Sequence, residues 1–314
     1  MSQPKVSVII PTKNGGENIE KCLNGIFTQE TRFDYEVIVI DSGSSDDTAQ
    51  IVNRFPVRFV EIEPREFGHG KTRNLGASLA IGKYLVYTVQ DAYAANEHWL
   101  DRLLMALEEN NRAAGAYSRW LPKSDCNPHE SRWIAQTFGP IRETRNLDGV
   151  DKEYYLRNMS RFILFSDVSS CIRKTVWGEI PFDETLSFAE DQQWAKKVLE
   201  AGYSVVYEPS SKVYHSHNDS PVRCFRSMFD AGASFSQISG KTSNLVVALF
   251  GIILATFRDW ALIVGKRDIT NLKWIAYVMA ANAAGSSGWW LGTHQRCLPK
   301  SLKRRLSLVP QNYL

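Results

Sequence analysis

Thr12, Asp41 and Asp91 each lie at or just after the end of an apolar run that is rich in β-branched residues. Such runs are typical of buried strands, and α/β sheets bind ligands at the carboxyl ends of their strands. An ionised carboxylate only accepts hydrogen bonds, so it suits a metal ion or a sugar hydroxyl. Asp91 by itself could instead close a turn or cap the next helix. Together the three side chains predict a polar rim for a ligand of nucleotide size.

Two neighbouring acidic residues, Glu190 and Asp191, begin a predicted helix that ends at Gly202. Acidic side chains at a helix N-terminus interact favourably with the helix dipole, by roughly 0.3–1 kcal/mol each. The functional alternative is a general base. Because neighbours on a helix point in different directions, we expect only one of the two to face a site.

Residues 67–74 carry two glycines and the basic side chains of His69, Lys71 and Arg73, and they precede a predicted helix at residues 75–81. Part of the segment is similar to a P-loop, but the glycine that a P-loop requires at position 65 is an arginine, so an ATPase is excluded. The segment is then either a phosphate-binding loop at a helix N-terminus or a solvated loop.

His215 and His217 are separated by one residue, so on an extended segment their side chains point the same way. Such a pair could contact a metal or a phosphate, although single histidines are usually structural.

Strands and helices alternate through the first part of the chain, which predicts a doubly wound, mostly parallel sheet flanked by helices. A core-facing helix is predicted at residues 97–110 and a strand at residues 115–119. Residues 120–156 mix proline, charges and aromatics and show no clear pattern. The fold class is therefore α/β.

The sequence changes in character after Pro221. The apolar run at residues 244–257 falls short of the ~20 residues that cross a bilayer, as does every other apolar run. Residues 272–291 add tryptophans, and the basic side chains of Lys300, Lys303, Arg304 and Arg305 follow. These features fit either attachment to an anionic membrane surface or a helical bundle that packs on the first domain or on a second copy.

Bulk composition narrows the class of protein. The chain has 314 residues, of which 44% are hydrophobic and 23% charged, which suits either one large domain or one domain plus an appendage. A net charge of +3 gives no indication of nucleic-acid binding. The five cysteines form no C-x-x-C pair, so neither a disulfide framework nor a zinc site is expected. Free thiols in a reducing cytoplasm are the simplest account of them. The N-terminus leads directly into a strand, without the pattern of a signal peptide.

Taken together, these segments resemble the family 2 glycosyltransferases, which have the GT-A fold. The resemblance covers the first two thirds of the chain in the family's order, at residues 8–14, 41–48, 73–77, Asp91, Glu190, Asp191 and His215. Residues 67–74 and 88–92 resemble the bacterial rhamnosyltransferase branch, which builds cell-surface polysaccharides such as O-antigen on lipid-linked acceptors. The resemblance implies a GT-A domain at residues 1–220 and a helical, membrane-associating region at residues 221–314.

The resemblance also implies roles in binding the donor. Thr12 and Asp41 would hold the nucleoside, and Arg73 would meet the base or the diphosphate. Lys71 and Gln90 belong to the same donor site by their positions in the matching segments.

The implied metal ligand is Asp91, which matches the last position of the family's Asp-x-Asp motif and would bind Mg²⁺ or Mn²⁺. The first position of the motif is Val89, which leaves the need for a metal open. His215 would be a second metal ligand or a contact to the diphosphate. Asp191 matches the family's catalytic base, with Glu190 beside it.

These roles predict an inverting transfer of L-rhamnose from dTDP-rhamnose to a polyprenyl-diphosphate-linked glycan. The enzyme would be cytoplasmic and peripheral at the inner face of the plasma membrane, with its oligomeric state left open. One alternative is the same reaction with another nucleotide sugar, such as a UDP-sugar. The other is a catalytically silent scaffold that binds a nucleotide sugar.

Overall fold

The computed structural model describes residues 5–265 and 273–309. They divide into two units, each of which is described by itself. The first unit consists of Met1–Leu121, Phe138–Thr185 and Glu190–His215; the second consists of Pro122–Thr137, Leu186–Ala189 and Ser216–Leu314. The domain boundary at residue 220 stays a prediction.

Parallel strands and intervening helices form the N-terminal half of the first unit. Its apolar runs are the strands, because side chains buried on both faces of a sheet give continuous hydrophobic sequence. The elements are β1 (Val6–Thr12), α1 (Gly16–Phe27), β2 (Tyr35–Asp41), α2 (Thr48–Val52), β3 (Arg58–Glu61), α3 (His69–Leu79) and β4 (Tyr84–Thr88).

The remaining elements complete a mixed sheet. They are β5 (Tyr93–Ala94), α4 (Trp99–Glu108), β6 (Ala113–Leu121), α5 (Pro128–Thr137, in the second unit), β7 (Glu143–Arg145), α6 (Lys152–Arg157), α7 (Met159–Phe162), β8 (Ser169–Arg173), α8 (Lys174–Glu179), α9 (Glu190–Glu200) and β9 (Ser204–Tyr214). The strand order is β3-β2-β1-β4-β8-β6-β9-β5, with β7 paired to β9. The predicted α/β class is confirmed, and the sheet is mixed because β8 runs antiparallel between β4 and β6.

The helix α3 begins at His69, six residues before its predicted start. The expected basic loop is therefore largely helical, and Arg73 lies within the helix. The early start was not predicted because Gly70 has low helix propensity, whereas Gly76 already lies inside the predicted helix. Both glycines are needed for close packing: a Cβ at Gly76 would overlap the side chain of Ile9, and one at Gly70 would lie 2.6 Å from the carbonyl oxygen of Asp183.

The strand β8 is polar in sequence and was not predicted. Ser169 and Ser170 are fully buried in it. Trp99 Nε1 donates a hydrogen bond to Ser169 Oγ at 2.7 Å, and Ser169 Oγ donates to Ser118 Oγ at 2.7 Å. These bonds satisfy hydroxyls that would otherwise be costly to bury, so serines can occupy the middle of the sheet.

Long helices form most of the second unit. They are α10 (Pro221–Ser239), α11 (Leu245–Gly265), α12 (Trp274–Thr293) and α13 (Lys300–Leu306). α10 and α12 approach closely at two glycines, since a Cβ at Gly288 or Gly292 would overlap the carbonyl oxygen of Phe225 or Phe229. The predicted start of the tryptophan-rich segment, residue 272, lies outside the described residues.

The expectation that no segment is long enough to cross a bilayer is wrong by the criteria of length and composition. α11 continues past Phe257, through Arg258 and Asp259, to a length of 21 residues, and it has the apolar composition of a membrane-crossing helix. The two charged residues ended the apolar run in the sequence. Asp259 is fully buried in the structure and does not interrupt the helix.

Candidate functional site

The ends of β1 and β4 are tied together by Gln90. Thr12, which pairs with Asp41 in the register of β1 and β2, donates a hydrogen bond from Oγ1 to Gln90 Oε1 at 2.6 Å. The backbone N–H of Lys13 donates to the same oxygen at 2.9 Å, and Gln90 Nε2 donates to Lys13 O at 3.1 Å. Two residues that were predicted separately, Thr12 and Gln90, therefore form one hydrogen-bonded unit at the carboxyl edge of the sheet.

Asp41 is 2% exposed and shapes the turn that follows β2. Its Oδ2 accepts hydrogen bonds from the backbone N–H of Gly43 at 3.2 Å and of Ser44 at 2.9 Å, and its Oδ1 accepts from the Ser44 hydroxyl. These bonds hold the carboxylate in a single orientation opposite the end of β1.

Asp91 and His215 form a carboxylate–imidazole pair. His215 Nδ1 lies 3.6 Å from Asp91 Oδ1. The His215 side chain is 6% exposed and the Asp91 side chain is 20% exposed. The backbone N–H of His215 donates to Leu121 O at 3.0 Å, which fixes the residue just beyond β9, and the Trp120 ring meets the imidazole edge-on at 4.9 Å between centroids. His217 lies in the second unit.

The donor atoms of this pair fit a divalent metal. Mg²⁺ is commonly held by one or two protein carboxylates together with substrate phosphates, and imidazole is an ordinary ligand of transition metals. Asp91 and His215 could thus supply one oxygen and one nitrogen, and the exposed part of Asp91 leaves room for phosphate or water.

A second cluster of charges surrounds Arg73 on α3. Arg73 Nη1 donates to Glu190 Oε1 at 2.5 Å and to His69 O at 3.3 Å. Its Nε lies 3.2 Å from Asp167 Oδ2. Arg73, Glu190 and Asp167 are 5%, 4% and 1% exposed, so the guanidinium and both carboxylates are removed from water.

Sequence reasoning missed Asp167. The residue lies two positions before β8, and β8 is antiparallel to β4 with Ser169 opposite Thr88. The start of an antiparallel strand lies at the same edge as the ends of its parallel neighbours, so Asp167 shares the carboxyl edge of β4. An acidic residue just before a strand is the signal that could have identified it, had β8 been recognised as a strand.

Asp191 is the more open member of the acidic pair. Its Oδ2 accepts a hydrogen bond from the backbone N–H of Asp167 at 3.1 Å, and its Oδ1 accepts from that of Gln192 at 2.7 Å. Asp191 is half-buried, whereas the Glu190 side chain is buried against Arg73. Glu190 and Asp191 therefore have different surroundings, as expected of neighbours on a helix.

Asp191 and Asp167 hold their protons more tightly than isolated carboxyl groups do. Burial raises the pKa of Asp191 well above its ordinary value, and the charges of Glu190 and Asp167 raise it further. Burial also raises the pKa of Asp167, to about 6, although Arg73 opposes the change. Three carboxylates share one guanidinium, and an accessible carboxylate with a raised pKa suits general-base chemistry near neutral pH.

Lys71 lies in a different environment. It is exposed on the first turn of α3 and lines a groove of about 680 Å³ together with Glu66, Trp177 and Phe182. None of the other predicted site residues lines that groove. The structure thus brings Thr12, Asp41 and Gln90 together at one edge, pairs Asp91 with His215, and surrounds Arg73 with acidic side chains.

Comparison with known proteins identifies the family of this chain. The model of the family "Glycosyl transferase family 2" matches residues 7–166, about half of the chain. The O-antigen chain rhamnosyltransferase WbaN of Salmonella anatum is 28% identical over 97% of this chain and 94% of its own length. RfbN of Salmonella typhimurium, with the same description, is 27% identical over the same shares.

Solved structures show the same fold. The mannosyltransferase PcManGT from Pyrobaculum calidifontis, in complex with GDP-Man and Mn²⁺, gives a TM-score of 0.60 at 17% identity, over 92% of this chain and 88% of that one. Staphylococcus aureus TarS gives 0.54 at 20% identity, over 93% and 91%. The predicted GT-A fold is confirmed, and the chain belongs to glycosyl transferase family 2 and is a glycosyltransferase.

Proposed function

We propose that this enzyme transfers L-rhamnose from dTDP-rhamnose, with inversion, to a hydroxyl of a lipid-linked cell-surface glycan. Support for the sugar comes from the two Salmonella relatives, both described as O-antigen chain rhamnosyltransferases, which match nearly the whole chain. Support for the chemistry comes from one observation above the others: Asp191 is a partly open carboxylate whose pKa is raised by its surroundings.

The donor would lie along the edge formed by β1, β2 and β4. Thr12, Asp41 and Gln90 would hold the nucleoside, since their polar atoms converge where parallel strands end. Lys71 and Arg73 would act on the diphosphate by their positive charge. The contacts of Arg73 with Glu190 and Asp167 also support a positioning role, in which it fixes the acidic cluster rather than the donor.

Asp91 and His215 would hold the Mg²⁺ or Mn²⁺ ion. When bound there, the ion would neutralise charge on the leaving diphosphate. The protein's own contribution is to hold Asp91 in the turn after β4 and His215 just beyond β9, where the backbone N–H of His215 donates to Leu121 O of β6.

The reaction is a single displacement. The acceptor oxygen forms a bond to the anomeric carbon, the bond from that carbon to the diphosphate oxygen breaks, and the nucleoside diphosphate leaves with the electron pair. The acceptor's proton passes to the Asp191 carboxylate. Because attack and departure occur on opposite faces of the sugar, the anomeric centre is inverted.

The acceptor would be a polyprenyl-diphosphate-linked glycan at the inner face of the plasma membrane. The enzyme would work there as a cytoplasmic, peripheral protein, with residues 1–220 as the catalytic domain and residues 221–314 as the membrane-associating region. The apolar, exposed helix α11 supports this location.

One feature favours a second candidate, a catalytically silent scaffold that binds a nucleotide sugar. Val89 occupies the first position of the Asp-x-Asp motif, so the carboxylate usual there is absent. A UDP-sugar in place of dTDP-rhamnose is the nearest alternative within the enzyme hypothesis.

A thermal-shift screen with release assays separates these candidates. Ligands that bind only the folded state raise the melting temperature by mass action. We expect a metal-dependent shift with dTDP and dTDP-rhamnose that is lost in Asp91→Ala, together with release of dTDP on transfer. A shift with UDP species alone would keep the transferase and exclude rhamnose. Nucleotide-sugar binding without release of a nucleoside diphosphate would identify the scaffold.

A further inference from the structure

The helix α11 exposes most of its surface. Fourteen of its 21 residues are exposed, and Arg258 is the one charged residue among them. The exposed side chains include Phe250 at 68%, Phe257 at 60%, Ile253 at 55% and Leu254 at 53%. Single exposed apolar residues are ordinary, whereas a continuous apolar face marks an interaction surface.

The buried side of α11 is the more polar one. Its buried residues are Thr256, Asp259 and Ile263, which recur at spacings of three and four and so form one stripe. A helix on the surface of a soluble protein has the opposite pattern, with its apolar stripe inward and its polar face toward water. An inverted pattern fits a helix whose outer face meets hydrocarbon, because polar groups must then be satisfied on the protein side.

The protein provides those polar partners. Asp259 is 0% exposed, and its carboxylate pairs with the Arg132 guanidinium of α5 and accepts a hydrogen bond from Asn282 Nδ2 of α12 at 2.7 Å. His129 Nδ1 lies 3.3 Å from the same carboxylate. The carboxylate of α11 is thus held inside the second unit, and Arg258 is the one charged residue among the exposed residues of the helix.

Basic residues flank α11 in the sequence at both ends. Lys241 precedes the helix, and Lys266 and Arg267 follow it directly. Basic side chains next to an apolar segment complement anionic lipid headgroups. They disfavour a second copy of the helix as the occupant, because parallel and antiparallel pairing alike would bring basic ends together.

We propose that the exposed face of α11, defined by Leu249, Phe250, Ile253, Leu254 and Phe257, embeds in the hydrocarbon of a lipid bilayer. The proposal rests on the proposed function in one respect, the location at a membrane, and it assigns that location to one face of one helix.

Vesicle flotation of the full chain tests the proposal. The probes are vesicles of phosphatidylcholine with and without phosphatidylglycerol. The wild-type chain should float with both, more completely with the anionic lipid, and should stay bound at high salt. The double variant Phe250→Glu/Phe257→Glu should lose at least ~10-fold in bound fraction, because a charge in hydrocarbon is costly.

The matched control is Ile141→Glu/Ile81→Glu, which places the same charges on apolar residues of the first unit that are 74% and 53% exposed. It should float like the wild-type chain. Melting temperatures of both double variants show that they are folded, and the single variant Leu254→Lys gives an independent test of the same face. Flotation requires no donor, so its result does not depend on which donor the enzyme uses. With a donor and a water-soluble acceptor, the release of nucleotide should be equal in all variants.

Two results would overturn the proposal. One is flotation of Phe250→Glu/Phe257→Glu at the wild-type level. The other is a wild-type chain that does not float and that light scattering shows to be a dimer, with the same variant monomeric, which would assign the face to a second copy.

Discussion

Arg73 Nη1 lies 2.5 Å from Glu190 Oε1, and both residues are at least 95% buried. The ion pair joins the first half of α3 to the start of α9, so it fixes the helix that carries Asp191. With Asp167 on its other side, Arg73 is the counter-charge of a cluster that is negative overall. The contacts that α3 makes through this residue therefore affect both stability and the protonation of the proposed base.

We predict that Arg73→Met destabilises the fold by about 3–5 kcal/mol, because removing one partner of a buried ion pair leaves carboxylates buried without a counter-charge. Urea unfolding measures the change. The matched control is Arg112→Met, which removes an exposed pair with Asp148 and should leave the free energy of unfolding nearly unchanged, because solvent screens exposed ion pairs. Adding Glu190→Gln to Arg73→Met should recover part of the loss; equal destabilisation by the two arginine variants would contradict a structural role for the cluster.

Asp191→Asn should lower the transfer rate by about 10²–10⁴-fold while the affinity for the donor is retained, because the amide cannot accept the acceptor's proton. Steady-state rates and donor titration separate the two quantities. Asp148→Asn, an exposed Asp-to-Asn change at a side chain 58% accessible, is the control and should turn over normally. Undiminished turnover in Asp191→Asn would mean that another group is the base.

Asp167→Asn should move the acid limb of the pH profile of kcat/KM to lower pH. The ionised Asp167 raises the pKa of Asp191, as do burial and Glu190, while Arg73 lowers it. Removing one negative neighbour lets Asp191 lose its proton at lower pH. A profile with an unmoved limb would show that Asp167 does not influence the base.

Stability should depend on pH through the same residue. The folded pKa of Asp167 is raised from 3.8 to about 6, so its contribution to stability is present at low pH and is lost as pH rises through that window. In Asp167→Asn, the free energy of unfolding should therefore fall less steeply between these pH values. Urea unfolding at a series of pH values measures the slope, and an equal slope in both proteins would contradict the raised pKa.

The first half of the fold could be predicted from the sequence because each of its strands is marked by an apolar run within the strand itself. β1 is a nearly continuous apolar strand, and Asp41 ends the next strand, so topology alone placed Thr12 beside Asp41. The elements that were missed depend on distant partners. β8 contains Ser169, whose hydroxyl is satisfied by Trp99 and Ser118, and neither partner is near in sequence.

The same reason explains the misjudged helices. α11 runs past Asp259 because Arg132 and Asn282, from other helices, compensate the charge. α3 starts at His69 because its glycines permit close packing on the sheet, which outweighs their low propensity. Of the candidate site, the acidic pair and the strand-end residues were identified from sequence, whereas Asp167 required knowledge of an antiparallel strand.

Two glycines in helices should respond to alanine in opposite ways. A Cβ at Gly76 would overlap the side chain of Ile9 in β1, whereas nothing lies within 4 Å of a Cβ at Gly251 in α11. Alanine is the better helix former by ~1 kcal/mol, so Gly251→Ala should stabilise the protein by up to that amount. Gly76→Ala should instead destabilise it by about 1–3 kcal/mol, since overpacking forces the strand or the helix to shift. Urea unfolding of the two variants gives the signs directly. A stabilising Gly76→Ala would show that the contact between α3 and β1 is looser than the structure has it, and the close approach would then not explain why glycine occupies this helix.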